Sequence, residues 1–372
     1  MAELTLFLAG DVMTGRGIDQ VLPFRGDPAL REELVRDARR YVALAEAANG
    51  PIPQPVDVSW PWGDVLTVLD EAEPDVRMFN VETSVTRSGD FAPGKRVHYR
   101  MHPDNAGCLV VARPDVCVLA NNHVLDFGQS GLVETLRTLD DAGLGHTGAG
   151  RDVREAQRPA VVTLGRRRRV VVHAVGTESS GVPPSWAATT DHGGVAYVPD
   201  LSESEADVLL ARVRRAARPC DVVVVSVHAG SNWGYDVGGR YARFARRLVD
   251  GGVDVVHGHS SHHPRPLELY RGRPILYGCG DLVNDYEGIG GYGSFRSELR
   301  LLYLVTLDAD THELARLRMV PVRARRLRLE RVTGPDAVWL QRTVATISRR
   351  FGTVVELGPD DSLLARAAED RR

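Results

Sequence analysis

The chain has 372 residues, 43% of them hydrophobic, and a formal net charge of −3. That content can bury a large core in one big domain or one with an appendage, and the slight acidity excludes nucleic acid as a bulk electrostatic partner. Of 46 basic residues only Lys95 is a lysine, a bias that reads as genomic base composition, although arginine also suits carboxylate recognition. The start carries an acidic residue and a short apolar run before Gly10-Asp11, unlike a signal peptide, and no later run approaches the ~20 apolar residues of a membrane span. The expectation is a cytoplasmic protein without a membrane partner. Cys108, Cys117, Cys220 and Cys279 show no close pairing, so neither a zinc knuckle nor a disulfide framework is supported.

Leu4 to Ala9 reads as a buried strand running into Gly10-Asp11. The spacing predicts a helix over 31–48, a proline-rich excursion with Trp60 and Trp62, and a second helix over 63–73. A strand from Asp75 runs into Asn80-Val81-Glu82, and another from Asp115 runs into Asn121-Asn122-His123. It is followed by an amphipathic helix with Leu132, Leu136 and Leu139 on one face. Residues 161–173 read as a hairpin whose turn carries four arginines. A strand from Asp221 ends at His228, a helix follows, and Val253 to Val256 leads into His257-Gly258-His259-Ser260-Ser261-His262-His263. The glycine-rich loop 284–295 reads as either a closing loop or ordinary surface. The tail from Leu301 has antiparallel strand patterning and a helix near 338–349.

Five apolar runs therefore stop at a carboxylate, an amide or an imidazole, as expected of a sheet with one functional edge. Gly10-Asp11-Val-Met13, Asn80-Val-Glu82, Asn121-Asn122-His123-Val-Leu-Asp126-Phe-Gly128, His228-Ala-Gly230 and Gly258-His259-Ser-Ser-His262 resemble, in order and spacing, the CapA family of capsule and poly-γ-glutamate synthesis, which is similar in fold to calcineurin-like metallophosphatases. The resemblance covers about Leu4 to Asp285 and implies an α/β fold: an α/β/β/α sandwich of two β-sheets flanked by helices. Residues 1–310 would form the catalytic domain. Residues 311–372 would add a C-terminal antiparallel β plus helix extension packed on it.

The resemblance also implies roles. Asp11 would hold one metal and Glu82 would bridge. Asn122, His228 and His259 would hold a second metal, His262 would return to the first, and His123 would be the acid or oxyanion stabiliser. One or two ions of manganese, iron or zinc suit such ligands. Met13 departs from the pattern by standing where dimetal phosphatases usually have a histidine. Asn232 and Trp233 replace a glutamate and tyrosine, and Tyr277-Gly-Cys279-Gly-Asp281 replaces a Tyr-Ser-Leu-Gly-Asn-like segment.

Because one metal site loses a ligand, the favoured expectation is a metal-free, cofactor-free site. Some CapA-like proteins of lasso-peptide pathways look like soluble epimerases, and the chain is expected to invert an α-carbon in a precursor peptide. Asp11 and His259 would be the proton-transfer pair, with His123 and His228 assisting. Glu82, Asn121, Asn122, His262, Arg100, Trp233, Cys279 and Asp281 would hold the substrate. A metal-dependent phosphoesterase and a polyglutamate-binding biosynthesis protein are the alternatives. Oligomeric state is left open.

Overall fold

The computed structural model describes residues 2–165, 168–291 and 293–368. Six strands carry the site: β1 (Glu3–Val12), β2 (Val76–Val81), β3 (Val116–Val118), β4 (Val222–His228), β5 (Val255–His259) and β6 (Asp281–Val283). Among the described residues the larger sheet has ten strands. In it β1 lies between β2 and the antiparallel strand Leu299–Asp308, β3 lies beyond β2, and β6 runs parallel to the last residues of β1. The smaller sheet has seven strands, with β4 and β5 adjacent and parallel at its centre.

Side-chain parity explains how the sheets meet. In β4, Val222 and Val224 enter the main core with Leu6, Leu8 and Met78 of the larger sheet, whereas Val223, Val225 and Val227 pack with Phe244 and Leu248 of helix Gly239–Asp250. Alternate residues of a strand face opposite sides, so Ser226 and His228 share the inter-sheet face with Val224. In β5 the same parity sets His257 and His259 beside Val255, opposite Val256. The apolar inter-sheet core thus becomes polar at the strand ends. Burying a Phe or Leu fully contributes ~1.5–3 kcal/mol each, so these two layers fix where the polar ends sit.

One expectation changes. The helix expected over 31–48 is Arg39–Asn49, because Leu34 is 93% exposed and Glu32 is drawn instead to Arg16 and Tyr41. The strands after residue 310 belong to the larger sheet itself: Leu314–Arg325 pairs with Leu299–Asp308. The 160–177 hairpin is formed by Ala160–Leu164 and Arg168–Thr177, but Arg166 and Arg167 of its turn lie outside the described residues, as does Tyr292 of the glycine-rich loop. Among the described residues no helix is long and apolar enough to cross a membrane.

Candidate metal centre

The first half of the site depends on a close approach. A Cβ on Gly10 would lie 1.7 Å from the Gly280 carbonyl oxygen, so only glycine lets β1 run against the segment entering β6. The Asp11 N–H then donates to Gly280 O at 2.9 Å, and Asp281 comes into register beside Asp11. On the other side, Asn80 is the β2 partner of Asp11. Its Nδ2 donates to Asp11 Oδ1 at 2.7 Å and Glu82 Oε2 at 3.0 Å. Asn121 locks Asn80 in turn, donating to its Oδ1 at 3.0 Å and to Val81 O, and accepting the His123 N–H.

The second half comes from the smaller sheet, and its protons can be assigned in sequence. His257 Nε2 donates to the Ala9 carbonyl at 2.8 Å. Burial pushes this ring down to about 4, so it is neutral and its Nδ1 accepts the Ser226 hydroxyl proton at 3.1 Å. Ser226 Oγ must then accept from His259 Nε2, 2.8 Å away. Burial holds His259 well below the usual histidine range, so its Nδ1 carries a lone pair. That Nδ1 faces His228 Nδ1 at 2.8 Å, and His228 Nε2 faces Asn122 Oδ1 at 3.0 Å. Burial likewise keeps His228 neutral. With the Asn122 amide oxygen turned toward it, this ring has one proton and two acceptors to meet, so in that orientation one pair of lone pairs converges.

Convergent buried lone pairs favour a cation. Two nitrogens held ~2.1 Å from one tetrahedral zinc ion stand roughly 3.4 Å apart, about half an ångström wider than this pair, and ligand atoms of Asp11, His228 and His259 all lie within 4.8 Å of one another. A second such group is Asp11, His262 and Asp281. Burial and the neighbouring carboxylates push both Asp11 and Glu82 above the carboxylate range, the signature of excess negative charge in a dry site. The donor set, imidazole and carboxylate, suits manganese, iron or zinc. Ser260 adds a backbone donor, its N–H 3.2 Å from Asp11 Oδ2, and pays for that turn with φ at +106°.

His123 stands at the opposite wall. Its Nδ1 lies 2.6 Å from Asp126 Oδ2, a contact that requires a proton on Nδ1, so Nε2 is left as an acceptor 3.8 Å from Glu82. Burial pushes this ring down to about 4, against Asp126 and helped by Lys95. The Lys95 ammonium contacts Asp126, the Asn122 carbonyl and His123 Nδ1. Glu82, Lys95, Asn122, His123, Ser260 and His262 line a cavity of about 380 Å³. It shares Arg96, Asn232, His262 and Tyr286 with an adjoining cleft of about 690 Å³ that reaches Arg16 and Trp233.

Asp11, Glu82, Asn122, His123, His228, His259, His262 and Asp281 are thus brought together. Four expected substrate contacts fare differently. Asn121 is fully buried with its amide spent inside the protein. Arg100 is clamped on the Ser88 and Asp27 carbonyls, away from the cavity. Cys279 is buried, and that burial raises its thiol well above the usual range. Trp233 sits at the rim, 5.4 Å from the His262 ring. His98 and His102 make hydrogen bonds to Ala92 O and the Asp104 N–H. Lys95, Asn80, Ser226 and Tyr286 were not singled out. A lone lysine among arginines was the available signal for Lys95.

The family described as "Bacterial capsule synthesis protein PGA_cap" matches residues 5–286. The chain belongs to this family. Similar capsule-family relatives include the "Probable polyglutamine synthesis accessory protein" of Mycobacterium tuberculosis, 54% identical over 361 residues, 97% of this chain and 95% of that one. The "PGA biosynthesis protein CapA" of Bacillus subtilis is 27% identical over 208 residues, 55% of this chain and 52% of that one. Among solved structures, a 5'-nucleotidase precursor from Thermus thermophilus aligns at TM-score 0.47 and 16% identity, covering 94% of this chain and 59% of that one.

Proposed function

We propose that this capsule-family protein is a metal-dependent hydrolase of the phosphoesterase type, working as an accessory in the synthesis of a polyglutamate-type polymer. The observation that carries the hydrolase is the converging lone pairs of His228 with His259 or Asn122. The accessory role is favoured by the mycobacterial relative, so named and similar over nearly the whole chain. Asp11, His228 and His259 would hold the cation, with Asn122 and Glu82 at the other ring nitrogen of His228 and His262 in the second group that shares Asp11. When bound, such an ion polarises an ester oxygen and lowers the pKa of water.

The chain's own groups do the rest. Asn80 fixes both carboxyls with one amide. Asp126 orients His123 so that Nε2 is an acceptor aimed into the cavity, placed to take up a proton during hydrolysis. Lys95, beside Nδ1, disfavours a second proton resting on that ring. Arg96, shared by the cavity and the adjoining cleft, suits an anionic substrate.

The peptide-epimerase reading loses its geometric basis. Two bases acting on opposite faces of one carbon each stand ~3 Å from it, and so roughly 6 Å from each other. Asp11 Oδ1 and His259 Nδ1 are 3.6 Å apart and both side chains are fully buried, which leaves no room for a substrate carbon between them. The relatives' names also favour polymer synthesis over a precursor peptide. The test is incubation of the manganese- or zinc-loaded protein with chromogenic phosphate mono- and diesters and with poly-γ-glutamate, reading dye release and chain length. Metal-dependent turnover is expected, and no hydrolysis of any of them overturns the reading.

A further inference from the structure

Met13 cannot serve a hard cation well, because a thioether is a soft ligand, yet the structure places another donor beside Asp11. Asp281 is the parallel-strand partner of Asp11, its side chain is fully buried, and ligand atoms of Asp11, His262 and Asp281 lie within 4.8 Å of one another. Asp281 Oδ1 accepts from His262 Nδ1 at 2.9 Å and Oδ2 accepts from Asn284 at 2.5 Å.

We propose that Asp281 is a metal ligand that replaces the histidine missing at position 13, completing with Asp11 and His262 a second cation site richer in oxygen than the His228–His259 site. The inference rests on the metal-binding reading above and adds to it the composition of the second site. A plain ion pair with His262 does not account for the arrangement. Asp281 also abuts the Asp11 carboxyl, and nearby Arg300 spends its terminal nitrogens on Leu282 O and Asn284 Oδ1 rather than on Asp281. A cation taking the place of the His262 Nδ1 proton would answer both carboxylates, since ligand imidazoles must be deprotonated.

The two sites then differ in kind. Two imidazoles with one carboxylate suit zinc or iron, whereas two carboxylates with one imidazole suit manganese better. Asp11 is common to both, so the ions would be close neighbours sharing one carboxylate.

The test is metal counting on the full chain. Protein stripped with chelator is dialysed against equal manganese and zinc, and bound metal is measured by plasma mass spectrometry alongside a melt of the stripped protein. Wild type is expected to hold two ions, one of each. Asp281→Asn, nearly the same shape, is expected to keep the zinc and lose at least tenfold in manganese affinity. Two ions held as tightly in Asp281→Asn, or at most one in wild type, overturns the inference. If Asp281→Asn fails to fold, wild type decides alone: nuclear coupling in the manganese resonance spectrum should report a single imidazole nitrogen, and two or more overturns it. Counting metal uses no hydrolysis, so a protein that binds both ions and cleaves nothing sinks the proposed function and leaves this inference standing.

Discussion

The Nδ1 atoms of His228 and His259 face each other at 2.8 Å, and with the Asn122 amide oxygen at the other ring nitrogen there is one proton too few to satisfy both contacts of His228. A cation that relieves this binds the folded chain and not the unfolded one, so it must stabilise the fold by mass action. At a hundredfold excess over Kd the gain is ~2.7 kcal/mol. Melts of stripped wild type with added zinc or manganese should shift upward, and His228→Asn should lose most of the shift. An unshifted wild-type melt would contradict the reading.

Lys95 and Asp126 should behave as a coupled pair, the carboxylate buried and the ammonium half-buried. Burial raises the Asp126 carboxyl, but His123 and Lys95 outweigh it and hold the group below its ordinary value. Removing one partner strands a charge, which costs on the order of 3–5 kcal/mol. Urea unfolding of Lys95→Met should show that loss. The double variant with Asp126→Asn should recover part of it, which a double-mutant cycle measures directly.

A pH effect separate from the metal centre is expected at His173. Burial, with Arg212 adding to it, pushes this ring down to about 4, and its buried Nε2 has no hydrogen-bond partner among the described residues. The folded value lies below the unfolded one of ~6.5, so the unfolded chain takes up the extra proton. The contribution is fully present above pH ~6.5 and is lost as pH falls through about 4, at up to ~1.4 kcal/mol per unit. Stability of His173→Leu, followed by denaturant titration across that window, should fall less steeply than wild type.

Arg100 should matter for folding and not for substrate. Its guanidinium donates to Ser88 O at 2.8 Å and Asp27 O at 2.7 Å, and truncation leaves those carbonyls to find other partners, at about 1–3 kcal/mol. Arg100→Ala should lower the melting temperature with KM unchanged. A raised KM at full stability would restore it as a substrate contact.

The strand ends are legible in the sequence because each is an apolar run stopping at a polar group, and the structure brings Asp11, Glu82, Asn122, His123, His228 and His259 together there. Asp281 was read as a substrate contact because its part depends on β6, three residues long, pairing with the end of β1 more than 260 residues away. The Lys95–Asp126 contact and the Asn80 bridge between two carboxyls are likewise tertiary facts with no periodic trace. The absence of a histidine at position 13 argued for a metal-free site when read alone. Only the sheet register sets Asp281 beside Asp11, the neighbourhood on which the proposed replacement rests.

Turnover by stripped protein against metal-restored protein, on the best anionic substrate found, tests metal-dependent hydrolysis most directly. The expected result is loss of at least a hundredfold on stripping, recovery with manganese plus zinc, and no recovery in His228→Asn. Undiminished turnover after stripping, with metal below one-hundredth of the protein, would contradict it.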